Sequence, residues 1–267
     1  MIESQLGATA FRLVPYAEYD AITNMAIDET LLDLYLEERL PPTLRFYGWS
    51  PPAVSFGYGQ KVSAQTIERI NEAGYDVVRR PTGGRAVLHE GELTYCFIAG
   101  EPILDSSIAR AYRQICDALI AGLVALGVAA SMGKSADGSY KSYEDCFQAT
   151  TQADLQYQGK KIVGSAQLRR HNSVLQHGSI MVNQSQDRMA QLLGVTEKSP
   201  DDGQQRHFNL NEILSTQVDR TTLEAAIVNG FTDAFNCRFA INDLSDQEMA
   251  LVEAAKTDQN RYRIKSL

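Results

Sequence analysis

Tyr112, Ile115, Leu119, Leu123 and Leu126 recur at three- and four-residue steps through residues 107–126, and Gly127 follows. Such steps place all five side chains on one face of an α-helix, and a glycine just past the end can take the left-handed conformation that stops it. A helix with a single long apolar stripe needs a flat apolar surface to lie on. The rest of the chain offers strands for that purpose. Short runs at 43–47, 53–56, 76–80, 86–88 and 93–98 sit between turn residues, and 153–158, 161–169 and 173–181 read as a strand meander with a Gly159-Lys160 turn. Helical spacing also covers 22–38, stopped by Pro41-Pro42, and 62–73, ended by Gly74. Shorter helices are expected at 188–193 and 210–214, and a longer one is marked by Leu223, Ile227, Phe231 and Phe235. A last helix covers 245–256, with Ser245 and Glu248 as its capping box. The pattern predicts an α+β fold of mixed sheets with packed helices, in one domain over 1–267.

Hydrophobic residues make up 44% of the 267, enough for a sizeable core. No run of about 18 apolar residues occurs, so no membrane-spanning helix is expected. Residues 1–11 lack the basic and apolar regions of a signal peptide, which points to the cytoplasm. A net charge of -8 argues against a dedicated nucleic-acid binder. Basic residues are still clustered, at Arg79, Arg80 and Arg85 and again at Lys160, Lys161, Arg169, Arg170 and His171. Such clusters can meet an anionic partner, although a solvated surface is the plainer reading. The four cysteines, 96, 116, 146 and 237, show no Cys-x-x-Cys spacing and no accompanying histidine cluster. Neither a metal site nor a disulfide framework is expected.

Three segments carry residue types suited to chemistry. In Arg79-Arg80-Pro81-Thr82-Gly83-Gly84-Arg85, paired glycines after a strand let backbone approach a ligand, and flanking arginines add charge-assisted hydrogen bonds. Taken alone, the pair also fits an ordinary turn, and His89 beyond it fits a structural histidine. Cys146 follows a polar stretch, residues 133–143, and lies in no apolar stripe. Cys96 and Cys116 sit within apolar strand and helix patterns and read as buried and inert. A cysteine nucleophile reacts as the thiolate, which a nearby cation stabilises. In the third segment, Lys161 opens the apolar run Ile162-Val163-Gly164. A lysine there can point into a pocket, or both Lys160 and Lys161 can be solvated on a hairpin.

Five blocks bring these segments together. They are Asn24-Met25-Ala26-Ile27-Asp28-Glu29, residues 79–89, Cys146-Phe147, Lys161-Ile162-Val163-Gly164-Ser165-Ala166-Gln167 and Leu175-Gln176-His177-Gly178-Ser179-Ile180. In this order the chain resembles the lipoate-protein ligase and octanoyltransferase family over roughly residues 10–240. Within it the chain looks like the LipM-type octanoyltransferases, which carry a cysteine just before Phe ahead of a Lys-x-x-Gly-Ser-Ala-Gln block. ATP-dependent ligases lack that nucleophile and usually read Gly-Gly-Gly where Gly83-Gly84-Arg85 stands here. Many also carry an accessory C-terminal domain, for which little chain remains.

The resemblance implies a catalytic fold shared with biotin protein ligases and a tunnel for a medium-length acyl chain. It implies Cys146 as nucleophile and Lys161 as its cationic partner. Substrate contacts are expected from Arg80, Thr82, Gly83, Gly84, Arg85, His89, Gly164, Ser165, Ala166, Gln167, His177 and Gly178. The implied donor is octanoyl-acyl carrier protein. The implied acceptor is a lysine of glycine cleavage H protein or of a lipoyl domain of a 2-oxoacid dehydrogenase. No cofactor, metal, nucleic acid or membrane enters that scheme. Three other readings stay open: an ATP-dependent lipoate or octanoate ligase, an amidotransferase between lipoyl-carrier proteins, and a non-enzymatic acyl-binding scaffold.

Overall fold

The computed structural model describes residues 9–133, 154–183, 186, 188–194 and 207–264. Its large sheet has eight strands in the order β11-β1-β2-β6-β10-β9-β8-β7, and a small sheet has the order β4-β3-β5. In the large sheet these are β1 (Thr9–Tyr19), β2 (Thr43–Trp49), β6 (Leu93–Gly100), β7 (Ser131–Met132), β8 (Leu155–Tyr157), β9 (Lys160–Arg170), β10 (Ser173–Ile180) and β11 (Cys237–Ile241). The small sheet holds β3 (Ala53–Phe56), β4 (Asp76–Arg79) and β5 (Val87–His89). β1 pairs parallel with β2 and β11, whereas β2, β6, β10 and β9 follow one another antiparallel.

Alternation along β6 explains why helices cover both faces of the large sheet. Tyr95 and Phe97 point to one side, with α3 (Ile108–Ala125) and α6 (Arg220–Phe235) packed on them through Ile115, Leu119, Ile227 and Phe231. Cys96 and Ile98 point to the other, toward Met25, Ile27 and Leu31 of α1 (Ala21–Leu36) and Val252 of α7 (Asp246–Lys256). Each strand residue between two layers is buried, which is why β6 and β10 read as continuous rather than alternating runs. A third cluster lies under the small sheet, where Val54, Phe56 and Leu88 meet Ile70 of α2 (Ala64–Glu72) and Met189 of α4 (Arg188–Leu193).

Local signals place most elements close to their expected bounds. Asp20 caps α1, accepting the Thr23 N–H at 2.9 Å. Asn209 and Ser245 each complete a capping box, at α5 (Leu210–Leu214) and at α7. Gly127 ends α3 at φ +89, as its position predicts. Three strands were not expected from the sequence: β1, the two-residue β7 and the partly exposed β11. β1 contains Pro15, and a proline inside a run argues against a strand. The chain accommodates it because pairing with β2 shifts register between Val14 and Ala17. The last described helix is α8 (Gln259–Tyr262), from which Arg261 reaches back to Glu29 of α1 at 3.0 Å.

Candidate active site

A cavity of about 260 Å³ opens between β9 and β10 of the large sheet and the small sheet with its 80–85 turn. From the turn and β5 come Arg80, Gly83, Gly84 and His89; β9 contributes Gly164, Ser165, Ala166 and Gln167; β10 contributes His177 and Gly178. The turn is held from inside. Arg80 donates to the carbonyls of Ser55 at 3.0 Å, Gly83 at 2.8 Å and Arg85 at 2.6 Å. Gly84 takes φ +96, and its carbonyl packs so close to Gly57 that a Cβ on Gly57 would lie 2.1 Å away. Arg80 is thus a buried brace for the turn as well as a wall of the cavity. Arg85 is not in the wall and joins this arrangement through its carbonyl.

Two imidazoles face the cavity, each fixed at both nitrogens. His177 Nδ1 donates to Asp28 Oδ2 at 3.0 Å, and its Nε2 lies 2.7 Å from Thr82 Oγ1. Thr82 therefore stands behind His177 and not in the wall. His89 Nδ1 donates to Glu92 Oε1 at 2.6 Å, and its Nε2 lies 2.7 Å from Ser55 Oγ. The Trp49 indole stacks on His89 with ring centroids 3.9 Å apart. Burial, helped by the nearby Arg80 charge, pushes the His89 pKa below its usual 6.5 despite Glu92 beside it. A neutral His89 that donates from Nδ1 and accepts from Ser55 satisfies both ring nitrogens, while Glu92 Oε2 stays buried without a hydrogen-bond partner among the described residues.

Asp28 anchors the first chain. It is fully buried, which disfavours its charge, but Arg45 Nη1 at 2.6 Å, His177 and the Tyr47 hydroxyl at 2.8 Å hold its pKa below the usual carboxylate range. Asn24 Oδ1 completes the site by accepting from Arg45 Nη2 at 2.6 Å. At the other end of the cavity the Tyr95 hydroxyl lies between Ser165 Oγ at 2.8 Å and Gln176 Nε2 at 2.9 Å. Most of the buried polar groups named here are thus bound to one another, the exceptions among the described residues being Gln167 Oε1 in the wall and Glu92 Oε2. With so few polar atoms left unpaired, such a cavity suits a chain that itself carries few polar atoms.

Lys161 is neither solvated nor in the wall. It is wholly buried, with Nζ 2.7 Å from Oδ1 of Asp154, and Asp154 does line the cavity. Cys146 and nearly all of the 133–143 stretch lie outside the described residues. The other three cysteines are buried, and burial raises their thiol pKa values: Cys116 to about 12, Cys237 to about 11, and Cys96 well up as well. None of these three is poised to be a thiolate near neutral pH.

Most of the second basic cluster of the sequence is occupied within the fold, His171 being exposed. Arg170 pairs with Glu29 and Asp33, Arg169 donates to the backbone of Asp105 and Ser106, and Lys160 lies 4.4 Å over the Phe208 ring. Sequence reading missed Tyr47, Trp49, Ser55, Glu92 and Asp154 as site residues. Asp28 stood in a recognised block but drew no role. A buried acid on a helix and an aspartate at a strand start carry no local signal, since their partners lie on other elements.

Residues 20–232 match the lipoyl protein ligase A/B catalytic domain model. The chain is 36% identical over 244 residues to octanoyltransferase LipM of Brevibacillus brevis, covering 86% of this chain and 88% of that one. It is 34% identical over 243 residues to octanoyltransferase LipM of Bacillus subtilis, covering 86% and 87%. Among solved structures, it aligns with lipoate-protein ligase A bound with ATP at a TM-score of 0.77 and 24% identity, over 94% of this chain and 95% of that one. It aligns with the putative lipoate protein ligase Ta0514 of T. acidophilum with bound lipoic acid at a TM-score of 0.76 and 23% identity, over 95% and 99%. Those two likenesses establish the fold, and the sequence match establishes descent: the chain belongs to the lipoyl protein ligase A/B catalytic-domain family.

Proposed function

We propose that this protein is an acyltransferase of lipoate biosynthesis, moving an octanoyl group from acyl carrier protein to a lysine of a lipoyl-carrier protein. The observation that carries this reading is the similarity to LipM octanoyltransferases over most of both chains. A cavity whose polar wall groups are mostly bonded to one another supports it, because the hydrocarbon tail of an octanoyl group brings no polar atoms of its own.

In the proposed reaction the Cys146 thiolate attacks the thioester carbonyl of octanoyl-acyl carrier protein. The carrier's phosphopantetheine thiolate leaves, and an octanoyl-Cys146 thioester remains. The amine of a lysine on glycine cleavage H protein or a lipoyl domain then attacks that carbonyl. An amide forms, the C–S bond breaks, and the cysteine sulfur departs as thiolate. The thioester is already activated, so the scheme uses no nucleotide and no metal. Lys161 supplies positive charge for the thiolate and the developing oxyanion, and the 80–85 turn with β9 and β10 encloses the acyl chain.

Intact mass spectrometry after mixing with octanoyl-acyl carrier protein tests the scheme. A gain of one octanoyl group is expected, reversed by hydroxylamine and missing in Cys146→Ala. An active donor that leaves no adduct on the wild-type protein sinks it. The likeness to a ligase bound with ATP keeps one rival specific: octanoate-dependent pyrophosphate exchange would show ligase chemistry instead.

A further inference from the structure

The sequence leaves Lys161 two possible tasks, a fixed positive charge or, if neutral, an acceptor for the proton of the incoming amine. The fold favours one of them. A lysine with no exposure is driven toward its neutral form by desolvation unless a counter-charge sits against it. Here the Asp154 carboxylate sits 2.7 Å from Lys161 Nζ, itself almost wholly buried.

The backbone is shaped to make that pair. Gln158 and Gly159 both take positive φ and turn β8 back into β9. Leu155 pairs with Val163 but Gln156 pairs with Lys161, so β9 carries one extra residue, Ile162, at this point. Such a bulge re-aims the side chain beside it. Asp154 precedes β8 directly, and its backbone is pinned where its carbonyl accepts from Gly133 N at 2.7 Å. The two charges thus come from opposite arms of one hairpin, and both arms reach the cavity wall, one through Asp154 and the other through residues 164–167 of β9.

We propose that Asp154 is a positioning residue that holds Lys161 as an ammonium directed at the Asp154 end of the cavity. Lys161 then serves acyl transfer as a fixed charge and does not accept the proton of the amine. The inference rests on the reading that Lys161 takes part in acyl transfer.

Other groups packed around the pair are compatible with an ionised Asp154. On α3, Tyr112 and Cys116 face it, and its charge adds to the burial that keeps both protonated. Across β9, buried His207 bridges to Lys161 through the backbone and accepts from Gln186 N at 3.2 Å. The proton balance follows. A thioester and a lysine ammonium give an amide, a thiolate and two protons. Lys161 already carries its full complement, so those protons leave through another acceptor.

Two readouts test this on the whole protein. The first is the pH titration of lysine Cε signals by NMR, with Lys161 identified by the signal lost in Lys161→Arg. In the wild type that signal is expected to stay in its ammonium position up to about pH 9, and in Asp154→Asn to titrate about two units lower or more. The second is octanoyl transfer. Asp154→Asn should lose about a hundredfold, and Asp154→Asn with Lys161→Arg should recover most of it, because guanidinium stays charged without a partner. A wild-type Lys161 signal that titrates near neutrality overturns the proposal, as does a double variant no faster than Asp154→Asn. The NMR titration decides the pairing even if the protein transfers no octanoyl group, which separates this inference from the function proposed above.

Discussion

Asp28 sits on a helix whose every side is packed, and its charge is held by three groups that converge on it from other elements, Arg45, Tyr47 and His177. Removing that charge while leaving Arg45 in place strands a buried guanidinium. Asp28→Asn is expected to cost about 3–5 kcal/mol, read as a fall in the midpoint of urea unfolding; a change under about 1 kcal/mol would show that the pair adds little. The cysteines allow a second prediction at this scale. Cys96, Cys116 and Cys237 are buried with raised thiol pKa values, so native protein at neutral pH should take up one iodoacetamide, at Cys146. Peptide mass mapping checks it, and rapid labelling at any of the other three contradicts it. The sequence identified Cys96 and Cys116 correctly as core residues, because strand and helix periodicity report burial directly. It had no means to see the Asp154 partner of Lys161, because that contact depends on a bulge in β9.

Between elements, the tightest approach is that of α3 and α6. A Cβ on Gly230 would lie 2.2 Å from the Ala118 carbonyl, and one on Gly122 would lie 2.7 Å from the Ala226 carbonyl. Gly230→Ala should therefore push two helices apart and lower stability by about 1–3 kcal/mol, although it removes nothing from the cavity. Thermal unfolding measures it, and an unchanged or raised Tm, which the usual helix preference for alanine would give, contradicts the packing described. Elements with a strong period were legible: α3, α6, α7 and the β8–β9–β10 meander fall close to their expected bounds. β1 was not, because Pro15 interrupts it and only the register shift against β2 lets it continue. β11 was not, because it is a short, partly exposed strand that exists by pairing with β1 across most of the chain. Eleven residues of strand at one end and five near the other thus became visible only as partners.

At the scale of the whole molecule, acid acts on the buried charges together. Asp28 and Glu248 have carboxyl pKa values held below the usual range, Asp28 by Arg45 and Glu248 by its hydrogen bonds from Arg12, although burial opposes both. Their contribution to stability is present above the unfolded carboxyl pKa, near 4, and is lost as pH falls through the lower folded values. His89 is held neutral, so the unfolded chain takes up its proton first, and stability falls as pH drops from about 6.5 toward the folded pKa. Urea unfolding at about pH 8, 5 and 2.5 should show a two-stage decline, and His89→Gln should flatten the first stage. Stability that rises between pH 7 and 5.5 would contradict the assignment.

Periodicity in the sequence determined the helices, the meander and the α+β class, because burying an amphipathic face needs no knowledge of its distant partner. Ordered blocks determined the family resemblance and pointed to most residues that line the cavity. Only the tertiary structure decided how these residues are used. It joined His177 to Asp28 across 149 residues, braced the glycine turn with Arg80, and engaged most of the second basic cluster in internal contacts. It also decided Lys161, which local sequence left open between a pocket and a hairpin surface, as a member of a buried ion pair. The reason is physical: hydrogen bonds and ion pairs between residues far apart in the chain follow from strand register and sheet order, and neither is written in local sequence.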